Sequence, residues 1–155
     1  MNKNELYNMA LNRAMKLCSI RECCIKDINE KVSSWGIDSN DAIRIIDSLI
    51  KEKFIDEKRY ASAFVKDKFN YNKWGKFKIS SALKMKGIQP EVIRQSLDFI
   101  DDEKYRQMAT KLLAAQRNKV KAKNKYDLKG KLLRYGLSKG FESGLLYELL
   151  GEDED

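Results

Sequence analysis

Three glycines, Gly36, Gly87 and Gly140, stand 51 and 53 residues apart with a matching apolar frame around each. Eight residues before each glycine come Ile28, Ile79 and Leu132; one residue after, Ile37, Ile88 and Phe141; ten after, Ile46, Leu97 and Leu150. Four residues before it come Val32 and Leu83, but Gly136 in the third frame, with Leu137 beside it. The second and third frames agree further: Lys86 and Lys139 precede the glycine, and Val92-Ile93 and Leu145-Leu146 follow at equal offsets, whereas the first is shifted, with Ile43. Such a period predicts three units with up to three helices each. A short helical hairpin cannot bury its own apolar face, so the units are expected to stack on their neighbours.

Within the frames, apolar residues recur at spacings of three and four while strand-like alternation is scarce, so helix is expected almost throughout. The expected fold is all-α: three tandem three-helix repeats stacked into an elongated or curved array. Their expected bounds are 1–55, 56–100 and 101–150, with an acidic tail at 151–155.

Local signals set the helix ends. Ser19-Ile20-Arg21-Glu22 reads as a capping box opening a helix that ends near Trp35-Gly36. Asp38 or Ser39 is expected to cap a helix with Ile43, Ile46, Leu49 and Ile50 on one face. Asp56 caps the next, through Tyr60, Phe64 and Val65. Pro90 sits at a first helical position, where its missing amide costs little. Asp101-Asp102 opens a long lysine-rich helix.

The net charge of +8 is unevenly spread. Residues 1–55 hold 9 basic and 8 acidic side chains, residues 56–100 hold 10 and 5, and residues 104–134 hold 11 basic ones against Asp127 alone. A positive surface on the second and third units is expected to attract polyanions or an acidic protein. With 43% hydrophobic residues the chain is too apolar to be disordered. It has no apolar run near the roughly 20 residues of a membrane span, and its start lacks a signal peptide's apolar stretch. A monomer in the cytoplasm, without membrane contact, is the expectation.

Catalysis is not expected. Histidine is absent, removing the commonest acid–base group and metal ligand. Walker loop, dinucleotide fingerprint and nucleophile elbow are missing. Asp101-Asp102-Glu103 reads as helix capping rather than a metal site. Cys18, Cys23 and Cys24 are too few and too close for a structural zinc site, and read as buried or half-buried free thiols. No cofactor and no metal are implied.

Phe54-Ile55-Asp56-Glu57-Lys58-Arg59-Tyr60-Ala61, with Phe64-Val65 following, resembles the signature of the RecX family of recombination regulators. Gly75, Lys78-Ile79, Leu83 and Lys86-Gly87-Ile88 fit that family's second repeat. Lys131-Leu132-Leu133-Arg134-Tyr135 and Lys139-Gly140-Phe141 resemble its third. Ser19 to Glu22 sits where the first repeat opens its second helix. The resemblance covers residues 10–150 in order. Lys68, Lys78 and Lys139 stand where arginine is common, which keeps the charge but loses the bidentate fork. Gly136 stands where an aliphatic residue is common, and should weaken its helix by about 1 kcal/mol relative to alanine. The resemblance implies an array that lodges in the groove of the RecA–DNA filament and inhibits strand exchange, ATP hydrolysis and coprotease activity, a role in DNA repair and SOS regulation.

The candidate contacts to RecA or to single- or double-stranded DNA are Lys73, Trp74, Lys76, Lys78, Lys86, Lys119, Lys121, Lys123, Arg134 and Lys139. Lysines meet phosphates, and an aromatic can stack on a base. Phe69 and Phe77 are expected to pack between helices, while Trp74 stays open between packing and stacking. Asp56 and Tyr60 read as a cap and a core aromatic, and Arg59 as either kind. The alternatives are a DNA-binding module independent of RecA, since Gly36 to Ile55 resembles half of a helix-turn-helix, and a helical scaffold for another acidic protein.

Overall fold

The computed structural model describes residues 1–151. Nine helices and no strand occur among them: α1 Lys3–Ile20, α2 Ile25–Ser34, α3 Ser39–Lys51, α4 Glu57–Asn70, α5 Lys76–Met85, α6 Pro90–Leu97, α7 Asp102–Arg117, α8 Lys125–Ser138 and α9 Ser143–Leu150. The acidic residues 152–155 expected as a tail lie outside the described residues. No helix among the described residues is long and apolar enough to cross a membrane.

The three anchor glycines do the same job. Gly36, Gly87 and Gly140 have φ of 88°, 78° and 96°, a left-handed conformation that glycine adopts without steric cost. After each, the next residue's N–H donates to the carbonyl five positions back: Ile37 to Val32 at 3.2 Å, Ile88 to Leu83 at 3.1 Å, Phe141 to Gly136 at 3.1 Å. The glycine N–H itself donates to Ser33, Lys84 or Leu137. This pair of bonds is the Schellman motif, which satisfies carbonyls left open at a helix end. Ile28, Ile79 and Leu132 are fully buried in the turns before it. Each such burial stabilises the fold by about 1.5–3 kcal/mol.

Capping follows the sequence at most starts. Asp38 accepts from the Asp41 N–H at 2.9 Å, Asp56 from Arg59 at 3.1 Å, and Asp101 from Lys104 at 3.0 Å. Pro90 is the first residue of α6. The capping box at Ser19 does not form. Ser19 lies in the last turn of α1 and its hydroxyl donates back to the Lys16 carbonyl at 2.7 Å. Cys24 precedes α2 instead, without a side-chain cap. Glu22 spends its carboxylate on Arg59, whose Nε lies 2.7 Å away.

Two further expectations are corrected. The buried face of α3 is Ala42, Ile45, Ile46 and Leu49, the i, i+3, i+4, i+7 stripe. Ile43 and Ile50 are exposed. The lysine-rich helix expected after Asp101 stops at Arg117, and a new one starts at Lys125 under an Asn124 cap. Lys119, Lys121 and Lys123 lie on the connection between them.

The chain divides into two compact units, one of Met1–Ala63 with Leu83–Ile93, the other of Phe64–Ala82 with the chain from Arg94 on. Helices α4, α5 and α6 each supply residues to both. In the first unit, α1 lays its small residues Ala10, Ala14 and Cys18 into a core with Ile28, Val32, Ile45 and Leu49. All three cysteines are buried and free. Burial, then the neighbouring Cys23, pushes the Cys18 thiol up to about 12. Glu57 of α4 accepts from the Ile25 N–H at 3.2 Å, filling the role at the start of α2 that Cys24 leaves open.

In the second unit the core carries an aromatic run. Tyr105 lies 6.0 Å from Phe69 and 5.1 Å from Phe141, ring centre to ring centre. Its hydroxyl donates to Glu142 and accepts from the Lys76 N–H at 2.9 Å. Burial, together with the Glu142 bond, holds this phenol well above its usual range.

Candidate polyanion-binding surface

Gly75 opens the turn into α5 against the end of α8. Its N–H donates to the Lys139 carbonyl at 2.7 Å, and the Phe77 N–H donates to the Gly140 carbonyl at 3.0 Å. A Cβ on Gly75 would overlap the backbone of Gly140 and Phe141. Two glycines therefore let two backbones touch, and the contact carries Lys78 and Lys139 to one place.

Lysines gather there around Trp74. The ammonium groups of Lys68 and Lys78 lie 5.1 Å and 4.6 Å from its ring centre. Phe64 meets the same ring edge-on, at 6.5 Å. Lys139 donates to the Asn72 carbonyl at 3.1 Å and Lys73 to the Asn70 carbonyl at 2.7 Å. Lys73 holds φ +61°, a left-handed residue that is not glycine in the connection between α4 and α5. Burial, and then the charge of Lys78, lowers the pKa of Lys139. Like charges held this close in a partly buried place raise the energy of the free protein, and a bound anion would relieve it.

Trp74 is thus a support for cations rather than a bare stacking platform: cation–π contacts of this kind are worth about 0.5–1 kcal/mol at exposed sites. Lys68 belongs with the candidates, although the sequence marks it only as a lysine where arginine is common. The signal lies in the spacing of Lys68, Trp74 and Lys78 across the α4–α5 turn. Phe69 packs inside, 7% exposed, but Phe77 is 71% exposed and does not pack between helices. Lys76 points elsewhere: its ammonium lies 4.7 Å from the Tyr105 ring centre and 3.9 Å from Asp102 Oδ1.

The remaining candidates are spread out. Lys119, Lys121 and Lys123 are exposed on the α7–α8 connection. The carbonyl of Lys121 accepts from Lys131, and the N–H of Lys123 donates to Asp127. Arg134 is exposed on α8 and shares a groove with Lys123. Lys73 lines another with Lys104 and Lys111. Lys86 belongs to the first unit, where it meets Asp27 Oδ1 at 2.9 Å. Asp27 is half-buried; burial works to raise its pKa, but the bonds from Lys86 and Cys24 outweigh this and lower it. Arg59 also serves structure, bonding Glu22 and the carbonyls of Lys53 and Phe54. No cluster of three or more side chains able to hold a metal occurs among the described residues.

A tandem helical-repeat protein with a lysine-rich surface is the class that this fold and site define. The family model for the second three-helix domain of RecX matches residues 56–97. "Regulatory protein RecX" of Clostridium botulinum (strain Eklund 17B / Type B) is 32% identical over 129 residues, 82% of this chain and 60% of that protein. The protein of the same name from Clostridioides difficile (strain 630) is 28% identical over 149 residues, 96% of this chain and 70% of that one. The chain belongs to the RecX family of regulatory proteins. It spans about 60% of the length of the Clostridium botulinum relatives it matches. The fold is shared with the crystal structure of RecX from Lactobacillus salivarius, at a TM-score of 0.82 and 22% identity, covering 95% of this chain and 96% of that one.

Proposed function

We propose that this chain regulates the RecA recombinase by binding along the groove of the RecA–DNA filament, and that it thereby inhibits strand exchange, ATP hydrolysis and coprotease activity. It does so as a cytoplasmic monomer without chemistry of its own, in DNA repair and the SOS response. The observation that carries the reading is the pair Lys68 and Lys78 against Trp74, with Lys139 close to Lys78, in a chain of the RecX family. Such a cluster suits the phosphates of filament DNA or an acidic strip of the filament. Lys119, Lys121 and Lys123 add a second, exposed contact. Several repeats engaging several protomers would gain by avidity, with no single strong contact needed.

The test is RecA's DNA-dependent ATP hydrolysis with and without this protein. The expected result is inhibition at stoichiometric amounts, weakened in a Lys78→Glu/Lys139→Glu variant and by added salt. A RecA that hydrolyses ATP at its full rate beside an equal amount of the native chain would rule the reading out.

A further inference from the structure

A groove of about 390 Å³ runs between the start of α8 and α9. Lys123, Tyr126, Gly130, Leu133, Arg134 and Tyr147 line it. Its size falls among ligand sites, which span about 300–1,000 Å³. The Trp74 cluster uses none of these residues.

Three features of the groove converge on one ligand chemistry. Its walls hold two tyrosine rings that the fold does not cover, Tyr126 at 78% and Tyr147 at 49% exposed. An aromatic ring buried in the core contributes its apolar area to folding; these two leave much of that area to something else. Around the rings stand the cations Lys123, Lys129 and Arg134. Asp127, the carboxylate of the groove, is already engaged by the Lys123 N–H at 3.0 Å and the Lys131 ammonium at 3.3 Å. Gly130 leaves one wall without a side chain: the nearest atom a Cβ there would meet is Arg134 Nη1, 3.5 Å away.

We infer that this groove binds single-stranded nucleic acid, one unstacked base lying against Tyr126 and Tyr147 and the flanking phosphates meeting Lys123 and Arg134. Rings beside cations are how single strands are held without sequence preference. In a duplex the bases are stacked and paired, so their faces are closed to tyrosine rings, and the groove should distinguish the two forms. The inference rests on the reading of this surface as polyanion-binding, not on RecA being the partner.

The experiment uses the full chain without RecA. Binding of an oligothymidylate carrying one central 2-aminopurine is followed by anisotropy and by quenching of the 2-aminopurine, which reports stacking. A duplex of the same length is the comparison. Tyr126→Ala/Tyr147→Ala should weaken single-strand binding about tenfold or more, remove the quench and leave duplex binding within about twofold. Tyr126→Phe/Tyr147→Phe should bind like the native chain, because stacking needs the ring and not the hydroxyl. Gly130→Leu fills the groove with every charge and ring in place, and should act like the alanine pair. Each of Lys123→Gln and Arg134→Gln should lower the salt slope by about 0.7. Circular dichroism checks that the variants stay folded. The inference is overturned if the alanine pair binds the single strand as well as the native chain does. It is equally overturned if the pair and Gly130→Leu weaken both forms alike, or if the native chain binds the strand without quenching. A chain that passes these tests but leaves RecA's ATP hydrolysis untouched keeps this inference and loses the proposed function.

Discussion

Leu146 fills the space that a side chain on Gly136 would need. A Cβ built on Gly136 would lie 2.5 Å from Leu146 Cδ2 and 2.8 Å from its Cδ1, and Leu146 is wholly buried. By helix propensity alone Gly136→Ala should stabilise α8 by about 1 kcal/mol. Overpacking a core costs about 1–3 kcal/mol, and the atoms in the way belong to a wholly buried side chain. Gly136→Ala is therefore expected to lower stability by about 1 kcal/mol in urea denaturation. Pairing it with Leu146→Val should recover part of that loss.

Gly75→Ala should cost more, about 3 kcal/mol or above by the same overpacking argument. Its Cβ would overlap the backbone of Gly140 rather than a side chain, so nothing nearby can rotate aside. Thermal denaturation checks the order: Gly75→Ala below Gly136→Ala, and both below the native chain.

Lys78→Gln should raise the pKa of Lys139. Burial remains in that variant, but the nearby charge that lowers the value is gone. A base whose folded pKa lies below its unfolded one favours the fold at high pH and strains it at neutral pH. Lys78→Gln is thus expected to keep or slightly raise stability at pH 7 and, under the proposed function, to weaken filament binding. Titration of the Lys139 side chain by NMR, compared between the two proteins, reads the shift.

Asp27 and Lys86 make stability depend on pH at both ends. The Asp27 pKa is lowered from the ordinary carboxylate value of 3.8, so its contribution is full above about pH 4 and is lost as pH falls through the folded value. The Lys86 pKa is raised above 10.5, chiefly by the Asp27 bond, so its contribution is lost as pH rises through the folded value. Lys86→Met should cost about 0.5–1 kcal/mol between these limits, as a half-exposed pair allows. The difference from the native chain should shrink below pH 4 and above pH 11 in denaturation curves.

Lys119→Glu/Lys121→Glu/Lys123→Glu should leave stability within about 0.5 kcal/mol, because exposed loop residues carry little of the fold. Under the proposed function it should weaken filament binding and flatten its salt dependence. Anisotropy at several salt concentrations checks both.

The helix ends were legible wherever a local bond sets them. Gly36, Gly87 and Gly140 announce Schellman turns, and Asp38, Asp56 and Asp101 announce caps, because each acts within a few residues of itself. Ser19 and Glu22 misled because their pattern suits a capping box, yet Glu22 answers to Arg59, 37 positions away. Ile43, Ile50 and Phe77 are apolar residues left at the surface, and no periodicity tells a buried position from its neighbour at the edge of a stripe. The long helix expected after Asp101 ends at Arg117 instead of running on, because little but Asn124 marks the break in the sequence. Of the candidate site, the sequence held the charges and Trp74. It could not show that Gly75 against Gly140 brings Lys78 beside Lys139, nor that Tyr126 and Tyr147 share a groove.

That meeting of Gly75 and Gly140 has a consequence in time. Most helices of this chain pack against helices adjacent in sequence, and such local contacts form quickly. The contact between the α4–α5 turn and the end of α8 instead closes a loop that encloses all of α5, α6, α7 and α8, and it bears the entropy of that closure. During synthesis on a ribosome, the first unit's core between α1, α2 and α3 can settle while the rest is still being made. Lys78 and Lys139 can come together only after residue 141 has emerged, long after the core of the first unit is able to close.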